Sequence, residues 1–205
     1  MCPHYRSQHG PDMIRTVFQA TLAGPARNTG ADVYPDREAP VVIERDGQRE
    51  IHFMRWGFPS PPNVAGPPVV NVRNVASPFW RPWLKPEQRC LVPFTAFSEW
   101  EDTRPKKTQR WFALGAQEPM AAFAGIWRPW TGTRGTKKDP IEGEHLLFSF
   151  LTCAPNACVE PIHPKAMPVV LTSEAEWETW LQAPAEIALQ LQRPLPADRG
   201  LRMIA

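Results

Sequence analysis

The sequence predicts an α+β fold, in a single domain over residues 1–205, built on a mostly antiparallel curled sheet or barrel with a few peripheral helices. Three observations support this. The 205 residues include 25 prolines, which disfavour long helices and favour short strands joined by turns. Hydrophobic residues make up 42% and charged residues 21%, as in ordinary globular proteins. The 9 tryptophans supply large aromatic surfaces, for a core or for stacking.

The predicted elements follow from local patterns. Apolar residues at helical spacing predict a helix over 13–23, ended by Gly24-Pro25, with a loop over 24–40. Asp46-Gly47 separates two apolar runs and favours a tight turn, so a hairpin is predicted there. Its strands cover 41–43 and 51–56, and further strands are predicted over 69–72, 89–93, 111–115, 121–127, 145–153 and 167–171. A proline-rich loop runs from Pro59 to Pro68.

The C-terminal part begins with a helix-start signal. Ser173 followed by Glu176 forms a capping box, which predicts a helix through Trp177 that stops near Pro184. A final short helix is predicted around 185–192.

Charge and cysteine usage restrict the class of protein. The net charge is only +2, so any polyanion would have to meet a local patch. The two basic runs, 104–110 and 134–138, are candidates for phosphate contacts or simply solvated hairpin ends. No apolar run has the length of a membrane span and no signal peptide is visible, so a cytoplasmic protein without a membrane partner is expected.

The 4 cysteines are too few and too scattered for a disulfide framework. Cys90 and Cys153 lie in apolar runs and are predicted to be buried thiols. Cys153, Cys158 and His163 are spaced more loosely than zinc ligands usually are, and no fourth ligand is evident. We therefore expect neither a metal ion nor another cofactor.

Cys2 is the residue with the most distinctive chemistry. Removal of Met1 would leave a 1,2-aminothiol, a pair that no internal residue can supply. An α-amino group has a pKa of roughly 7.7–8, so a usable fraction is neutral at pH 7 and can attack an aldehyde. The neighbouring thiol can then close a thiazolidine ring, and a thiolate is also a nucleophile for acyl chemistry.

Several ordered motifs resemble one known family. They are Met1-Cys2, Met54-Arg55-Trp56-Gly57-Phe58, Val70-Asn71-Val72-Arg73, Arg89-Cys90-Leu91-Val92-Pro93, Phe97-Ser98-Glu99-Trp100, Phe123-Ala124-Gly125-Ile126-Trp127, Pro161-Ile162-His163 and Met167-Pro168-Val169-Val170-Leu171. In this order and spacing the chain resembles the SOS-response-associated peptidase (SRAP) family, which includes 5-hydroxymethylcytosine-binding proteins. The resemblance covers nearly the whole chain.

The resemblance implies a function in the DNA-damage response. Members bind single-stranded DNA and capture abasic sites, whose open-chain sugar carries an aldehyde, as a covalent thiazolidine. It also implies accessory lyase activity through the imine, a monomer, and association with the nucleoid when DNA is bound.

The resemblance also implies roles for individual residues. Cys2 would be the nucleophile, and Asn71 would hold the reacting N-terminus in place. Glu99 would shuttle protons and His163 would polarise or protonate the sugar oxygen. Arg73 would bind a phosphate next to the lesion.

The chemistry of imine formation by itself requires proton-transferring groups such as these. Imine formation expels water and needs acids and bases with pKa values near the working pH. Burial beside Trp100 could raise the pKa of Glu99 into that range, and that of His163 starts close to it. Without the other motifs, a surface carboxylate and a hydrogen-bonded loop histidine would be the simpler interpretations.

Aromatic and cationic residues alternate where the family places a DNA-facing segment. Trp80, Arg81 and Trp83 combine stacking surface with a positive charge, as single-stranded DNA binding requires. Core packing is the alternative for at least one of the two tryptophans.

The chain departs from the family pattern near its N-terminus. The family usually reads Cys-Gly-Arg, but here Pro3 and His4 follow Cys2. His4 would replace the arginine's DNA contact only in part, and Pro3 hinders removal of Met1. Where members often read Asn-Val-Ala-Pro, this chain has Asp32-Val33-Tyr34-Pro35.

Two other functions remain open from the residues alone. One is a thiol peptidase or self-processing hydrolase that uses Cys2 with Glu99 and His163. The other is a non-covalent single-stranded nucleic-acid-binding domain, for which Cys2 would be dispensable.

Overall fold

A computed structural model describes residues 2–61 and 66–204. Met1, residues 62–65 of the predicted proline-rich loop, and Ala205 lie outside the described residues. Within the described ranges the strands are β1 (His4–Arg6), β2 (Thr21–Leu22), β3 (Asp32–Val33), β4 (Glu38–Arg45), β5 (Gln48–Trp56), β6 (Asn71–Val72), β7 (Arg89–Phe94), β8 (Ala96–Glu101), β9 (Thr108–Leu114), β10 (Ala121–Thr136), β11 (Asp139–Cys153), β12 (Met167–Pro168), β13 (Val170–Leu171) and β14 (Leu201–Met203). The helices are α1 (Pro11–Phe18), α2 (Glu174–Gln182) and α3 (Ala185–Ala188).

Five strands close into a barrel. β11, β10, β7, β4 and β5 pair antiparallel in that order, and β5 then returns to β11 through a parallel pairing. The closing register places Arg55 opposite Leu147 and Trp56 opposite Phe148. The predicted α+β class with a curled, mostly antiparallel sheet is thus confirmed.

A second sheet carries the N-terminus of the chain. Its strand order is β14-β9-β8-β1-β3. β1 pairs antiparallel with β8, with His4 opposite Ser98 and Tyr5 opposite Phe97. Alternate residues of a strand face opposite sides of the sheet, so Tyr5 enters the core and His4 lies on the other face, where it is also buried.

Aromatic side chains join the two sheets into one core. Tyr5 packs edge-on against Trp56 at 5.1 Å and Phe123 at 5.6 Å between ring centroids. Phe123 in turn stacks on Phe94 at 3.9 Å. These rings are fully buried, so the residue that anchors β1 in the core lies only three positions after Cys2.

The predicted β4–β5 hairpin is confirmed, with Asp46-Gly47 at its turn. Asp46 has φ +52° and Gly47 φ +73°, and Arg45 pairs with Gln48. A two-residue turn with both φ values positive matches the right-handed twist of the flanking strands, and it is the conformation that Asp-Gly favours.

The predicted cap at Ser173 forms, with one difference from a regular capping box. Ser173 Oγ accepts a hydrogen bond from Glu176 N at 3.4 Å, but Glu176 Oε2 accepts from Thr172 N, one residue before the N-cap, at 2.8 Å. The helix ends at Gln182, as Pro184 predicts. The helix predicted over 185–192 is shorter, because a 3₁₀ turn over Leu189–Leu191 replaces its second half.

The N-terminal helix prediction was wrong in extent. The helix ends at Phe18 because Gln19 adopts a left-handed conformation, φ +50°. Thr21–Leu22 instead forms β2, parallel to β5. The predicted loop over 24–40 likewise contains β3 and the start of β4.

Three further strands, β1, β8 and β14, were missed, and β10 and β11 extend well beyond 121–127 and 145–153. The extension pairs residue by residue up to Thr136 opposite Asp139. The basic run 134–138 is therefore a hairpin end. Arg134 is nonetheless buried, and its Nε donates to Asp36 Oδ1 at 2.8 Å, so this cation is engaged within the protein.

Among the described residues, no helix combines the length and apolar character needed to cross a membrane.

Candidate active site

Cys2 is fully buried, and hydrogen bonds hold both its backbone carbonyl and its side chain. Asn71 Nδ2 donates a hydrogen bond to the Cys2 carbonyl oxygen at 2.9 Å. Cys2 Sγ lies 3.4 Å from the carbonyl oxygen of His4, to which the thiol donates. Burial, and then the nearby Glu99 carboxylate, raise the pKa of the Cys2 thiol far above its usual range. The sulfur is therefore a neutral thiol near pH 7, and a base has to take its proton when it reacts.

Asn71 owes its position to a strand of only two residues. β6 pairs parallel to β11, with Asn71 opposite Phe150 and Val72 opposite Leu151. The pairing ties Asn71 to a barrel strand and leaves its side chain 7% exposed. The amide is therefore fixed to the barrel and can hold Cys2 against it.

Glu99 lies on β8, on the face that turns inward. It is 1% exposed, and burial raises its pKa from the ordinary value to about 7. The simpler interpretation as a surface carboxylate was therefore wrong. The neighbouring Trp100 is 42% exposed and faces the other way, so it is not the main source of this burial. A carboxyl group with a pKa near 7 can both donate and accept protons at neutral pH.

His163 approaches Glu99 from the segment between β11 and β12. Its Nδ1 lies 3.9 Å from Glu99 Oε2 and 2.8 Å from the carbonyl oxygen of Ala166. Burial is the main reason why the pKa of His163 is lowered, which favours the neutral imidazole at pH 7. The backbone N–H of His163 donates to the Val159 carbonyl at 2.8 Å and holds the loop.

The fold thus brings together the four residues predicted to be catalytic: Cys2, Asn71, Glu99 and His163. They come from the N-terminal segment, β6, β8 and the β11–β12 connection. The arrangement combines a nucleophile, a hydrogen-bond anchor and two groups that can transfer protons. Their individual roles stay predictions.

The residues predicted to contact DNA fall into two groups. Arg73 and Arg81 are exposed. Trp80 is 8% exposed and packs on Phe58, with 5.9 Å between ring centroids. Trp83 is half-buried against the same phenylalanine at 6.0 Å, and Arg128 lies over its ring at 4.2 Å. Both tryptophans therefore contribute to the core, and Trp83 keeps part of its surface at the edge.

His4, which was also predicted to contact DNA, lies in a network that the sequence did not predict. Its Nε2 is 2.8 Å from Asp32 Oδ1, and its Nδ1 is 3.0 Å from Gln109 Nε2. Ser98 Oγ donates to the His4 carbonyl at 3.0 Å. Tyr34 stacks on the imidazole with 4.0 Å between centroids. Asp32 and Tyr34, two departures from the family pattern, therefore both contact His4, a third departure, and their joint occurrence was the available signal.

Within residues 2–61 and 66–204, no group of three or more His, Cys, Asp or Glu side chains could hold a metal ion. Cys90 and Cys153 are buried thiols, as predicted, while Cys158 is half-buried.

The fold is thus a closed barrel with a buried cysteine near the N-terminus, grouped with an amide, a carboxyl group and an imidazole. The sequence model of the SOS response associated peptidase (SRAP) family matches residues 1–203. The chain belongs to this family.

The chain is also similar to individual proteins. The chain is 27% identical over 157 residues to Abasic site processing protein YobE of Bacillus subtilis (strain 168), covering 73% of this chain and 67% of that protein. A protein from Bacteroides thetaiotaomicron has a similar solved structure, with TM-score 0.75, 23% identity, and coverage of 98% of this chain and 90% of the other. A protein from Bordetella bronchiseptica gives TM-score 0.74 and 22% identity over 100% of both chains. These structural likenesses show the shared fold.

Proposed function

We propose that this protein processes abasic sites by binding single-stranded DNA and linking Cys2 covalently to the lesion as a thiazolidine. The observation that carries the proposal is the anchoring of Cys2 by Asn71 at 2.9 Å in the same buried site as Glu99 and His163. Family membership and the name of the Bacillus subtilis relative support the same function.

The reaction needs a free α-amino group on Cys2, and therefore removal of Met1. The neutral amine attacks the aldehyde carbon of the open-chain sugar and forms a carbinolamine. The carbinolamine hydroxyl takes a proton and leaves as water, which produces the protonated imine. The thiol then returns a proton to the group that supplied the first one, its sulfur adds to the imine carbon, and the ring closes with one water released overall.

Glu99 is suited to move these protons. With a pKa of about 7 it is partly protonated at neutral pH, so it can protonate the leaving hydroxyl and then accept the proton of the thiol. His163, 3.9 Å away, would polarise the sugar oxygen. The same imine would also permit strand cleavage by β-elimination, as an accessory lyase activity.

The exposed side chains of Arg73 and Arg81 would bind phosphates next to the lesion. The edge of Trp83 that remains accessible would contact a base, with Trp80 supporting it from the core.

The test is incubation with single-stranded DNA that carries one abasic site, followed by a denaturing gel. We expect a denaturation-resistant adduct with the wild type and none with Cys2→Ala, while Cys2→Ala still binds the DNA non-covalently. Intact mass of each sample establishes whether Met1 has been removed. A wild-type sample that lacks Met1 and yet forms no adduct would refute the proposal. Binding by both proteins without an adduct would favour a non-covalent single-stranded DNA-binding domain.

A second candidate is self-processing at the Met1–Cys2 bond. The Glu99 carboxyl group lies close enough to Cys2 to raise the pKa of its thiol, which favours this candidate. Expression without methionine aminopeptidase activity tests it by intact mass. Loss of Met1 in the wild type but not in Glu99→Gln would support it, and retention of Met1 in both would exclude it.

A further inference from the structure

His4 is held more firmly than a residue near a chain end usually is. Its side chain is 7% exposed, and it lies between Tyr34, stacked at 4.0 Å, and Trp111, edge-on at 4.6 Å. Both ring nitrogens have partners, Asp32 on one side and Gln109 on the other. A phosphate would have to displace one of these partners to reach the ring.

The hydrogen bonds determine which nitrogen carries the proton. The Ser98 hydroxyl donates to the His4 carbonyl at 3.0 Å, so its oxygen accepts from Gln109 Nε2 at 2.9 Å. The amide nitrogen of Gln109 therefore faces His4 as well, and Nδ1 of His4 must be the acceptor. Nε2 then carries the proton and donates to Asp32 Oδ1 at 2.8 Å. The ring is the neutral Nε2–H tautomer.

This network reaches the Cys2 thiol through the backbone of His4 and of Ser98. The carbonyl oxygen of His4 accepts from Ser98 Oγ and also from Cys2 Sγ, the latter at 3.4 Å. Asn71 holds the carbonyl of Cys2, and the His4 carbonyl holds its sulfur. A shift of the His4 carbonyl would take this acceptor away from the sulfur.

We propose that His4 is a positioning residue that holds the Cys2 thiol in its buried position through its own backbone, with its side chain locked by Asp32 and Gln109. For the reaction with an aldehyde, this inference rests on the proposed function. It assigns His4 a role inside the protein instead of a contact with DNA. Asp32 and Gln109 contribute to that role by holding the His4 ring in place.

The experiment measures alkylation of Cys2 by iodoacetamide in DNA-free protein, with each cysteine followed by peptide mass spectrometry. In His4→Ala the thiol loses its anchor, so we expect Cys2 to react about five- to tenfold faster. Half-buried Cys158 should react at its wild-type rate and buried Cys90 should stay protected, which shows that the variant is folded. The control is His9→Ala, a second histidine near the N-terminus, for which Cys2 should behave as in the wild type.

The second measurement is adduct formation at saturating abasic single-stranded DNA, together with the Kd for undamaged DNA. We expect His4→Ala to form the adduct about tenfold more slowly with Kd unchanged, because a misplaced nucleophile reacts poorly even when it is more accessible. His4→Gln should restore both rates in large part. Glutamine Nε2 lies as many bonds from Cβ as histidine Nε2 does, so it can still donate to Asp32.

The results separate the two proposals. Faster alkylation in His4→Ala with recovery in His4→Gln supports the positioning role even if the wild type forms no DNA adduct, which would refute only the proposed function. An unchanged rate of Cys2 alkylation in His4→Ala would overturn the inference. So would weaker DNA binding with a smaller salt dependence and an unchanged rate of adduct formation at saturating DNA, a result that would make His4 a DNA contact.

Discussion

Asn71 donates a hydrogen bond from its side-chain amide to the backbone carbonyl of Cys2, 2.9 Å away, although the two residues are 69 positions apart. The contact ties Cys2 to β6 and, through the β6–β11 pairing, to the barrel. A reactive group at the end of a chain would otherwise sample many conformations, and ordering it in advance lowers the entropic part of the barrier.

Replacement of Asn71 should therefore slow the reaction without unfolding the protein. Asn71→Ala removes the donor, and we expect the rate of adduct formation with abasic single-stranded DNA to fall about tenfold. Asn71→Asp has a similar shape but cannot donate, and it should be at least as slow. Asn74→Ala, an exposed change in the same segment, is the matched control. Equal rates in all four proteins would contradict the anchoring role.

Glu99 should make the stability of the protein depend on pH. Its pKa is raised from 4.5 to about 7, so the fold favours the protonated carboxyl group. Its contribution to stability is complete below pH 4.5, the unfolded pKa, and is lost as the pH rises through about 7. Glu99→Gln keeps the shape and cannot ionise. Between pH 4.5 and 8 its free energy of unfolding should therefore gain about 3 kcal/mol relative to that of the wild type.

Urea denaturation of both proteins at several pH values measures this difference. The histidines are the same in both proteins, so their titration largely cancels in the comparison. A difference in the free energy of unfolding that stays constant with pH would mean that Glu99 is ionised normally in the folded state.

Gly125 should not tolerate a side chain. A Cβ atom there would lie 2.6 Å from Cys90 Sγ and 2.8 Å from Val92 Cγ2, in the paired strands β7 and β10. Gly125→Ala is expected to destabilise the protein by about 1–3 kcal/mol, as overpacking in a core does. Gly24→Ala is the control, since nothing lies within 4 Å of its Cβ position. Equal melting temperatures of the two variants would show that β7 and β10 can separate at no cost.

Arg73 should contribute to DNA binding through charge alone. It is exposed, and Gln192 Nε2 donates to its backbone carbonyl at 2.9 Å, which holds the segment in place. Loss of one phosphate contact in Arg73→Ala should weaken binding to undamaged single-stranded DNA at low salt. It should also reduce the slope of log Kd against log salt by about 0.7. Arg45→Ala, at the β4–β5 turn, is the control and should leave the slope unchanged.

Local signals predicted the elements whose cause is local. The β4–β5 hairpin follows from Asp46-Gly47, and α2 follows from Ser173 with Glu176. β8 was missed because its sequence, Ala96 to Glu101, has polar residues on both faces and therefore shows no alternation, although residues 96–99 are all buried. β1 has three residues, too few for a pattern, and exists because β8 and β3 pair with it.

The candidate site divides in the same way. The ordered motifs indicated Cys2, Asn71, Glu99 and His163, and the fold brings these residues together. The environment of each one was decided by pairing between distant strands. The register of β1 on β8 places Ser98 opposite His4, and β9 adds Gln109 from the other side.

The sequence by itself therefore determined the fold class, the hairpin turn, the helix cap and the chemical identity of the reactive groups, because turns, caps and nucleophiles are properties of a few neighbouring residues. Only the tertiary structure decided that Cys2 is buried, that the pKa of Glu99 rises to about 7, and that His4 faces Asp32 and Gln109. Burial, pKa and side-chain partners depend on which strands lie side by side, and that is a property of the whole chain.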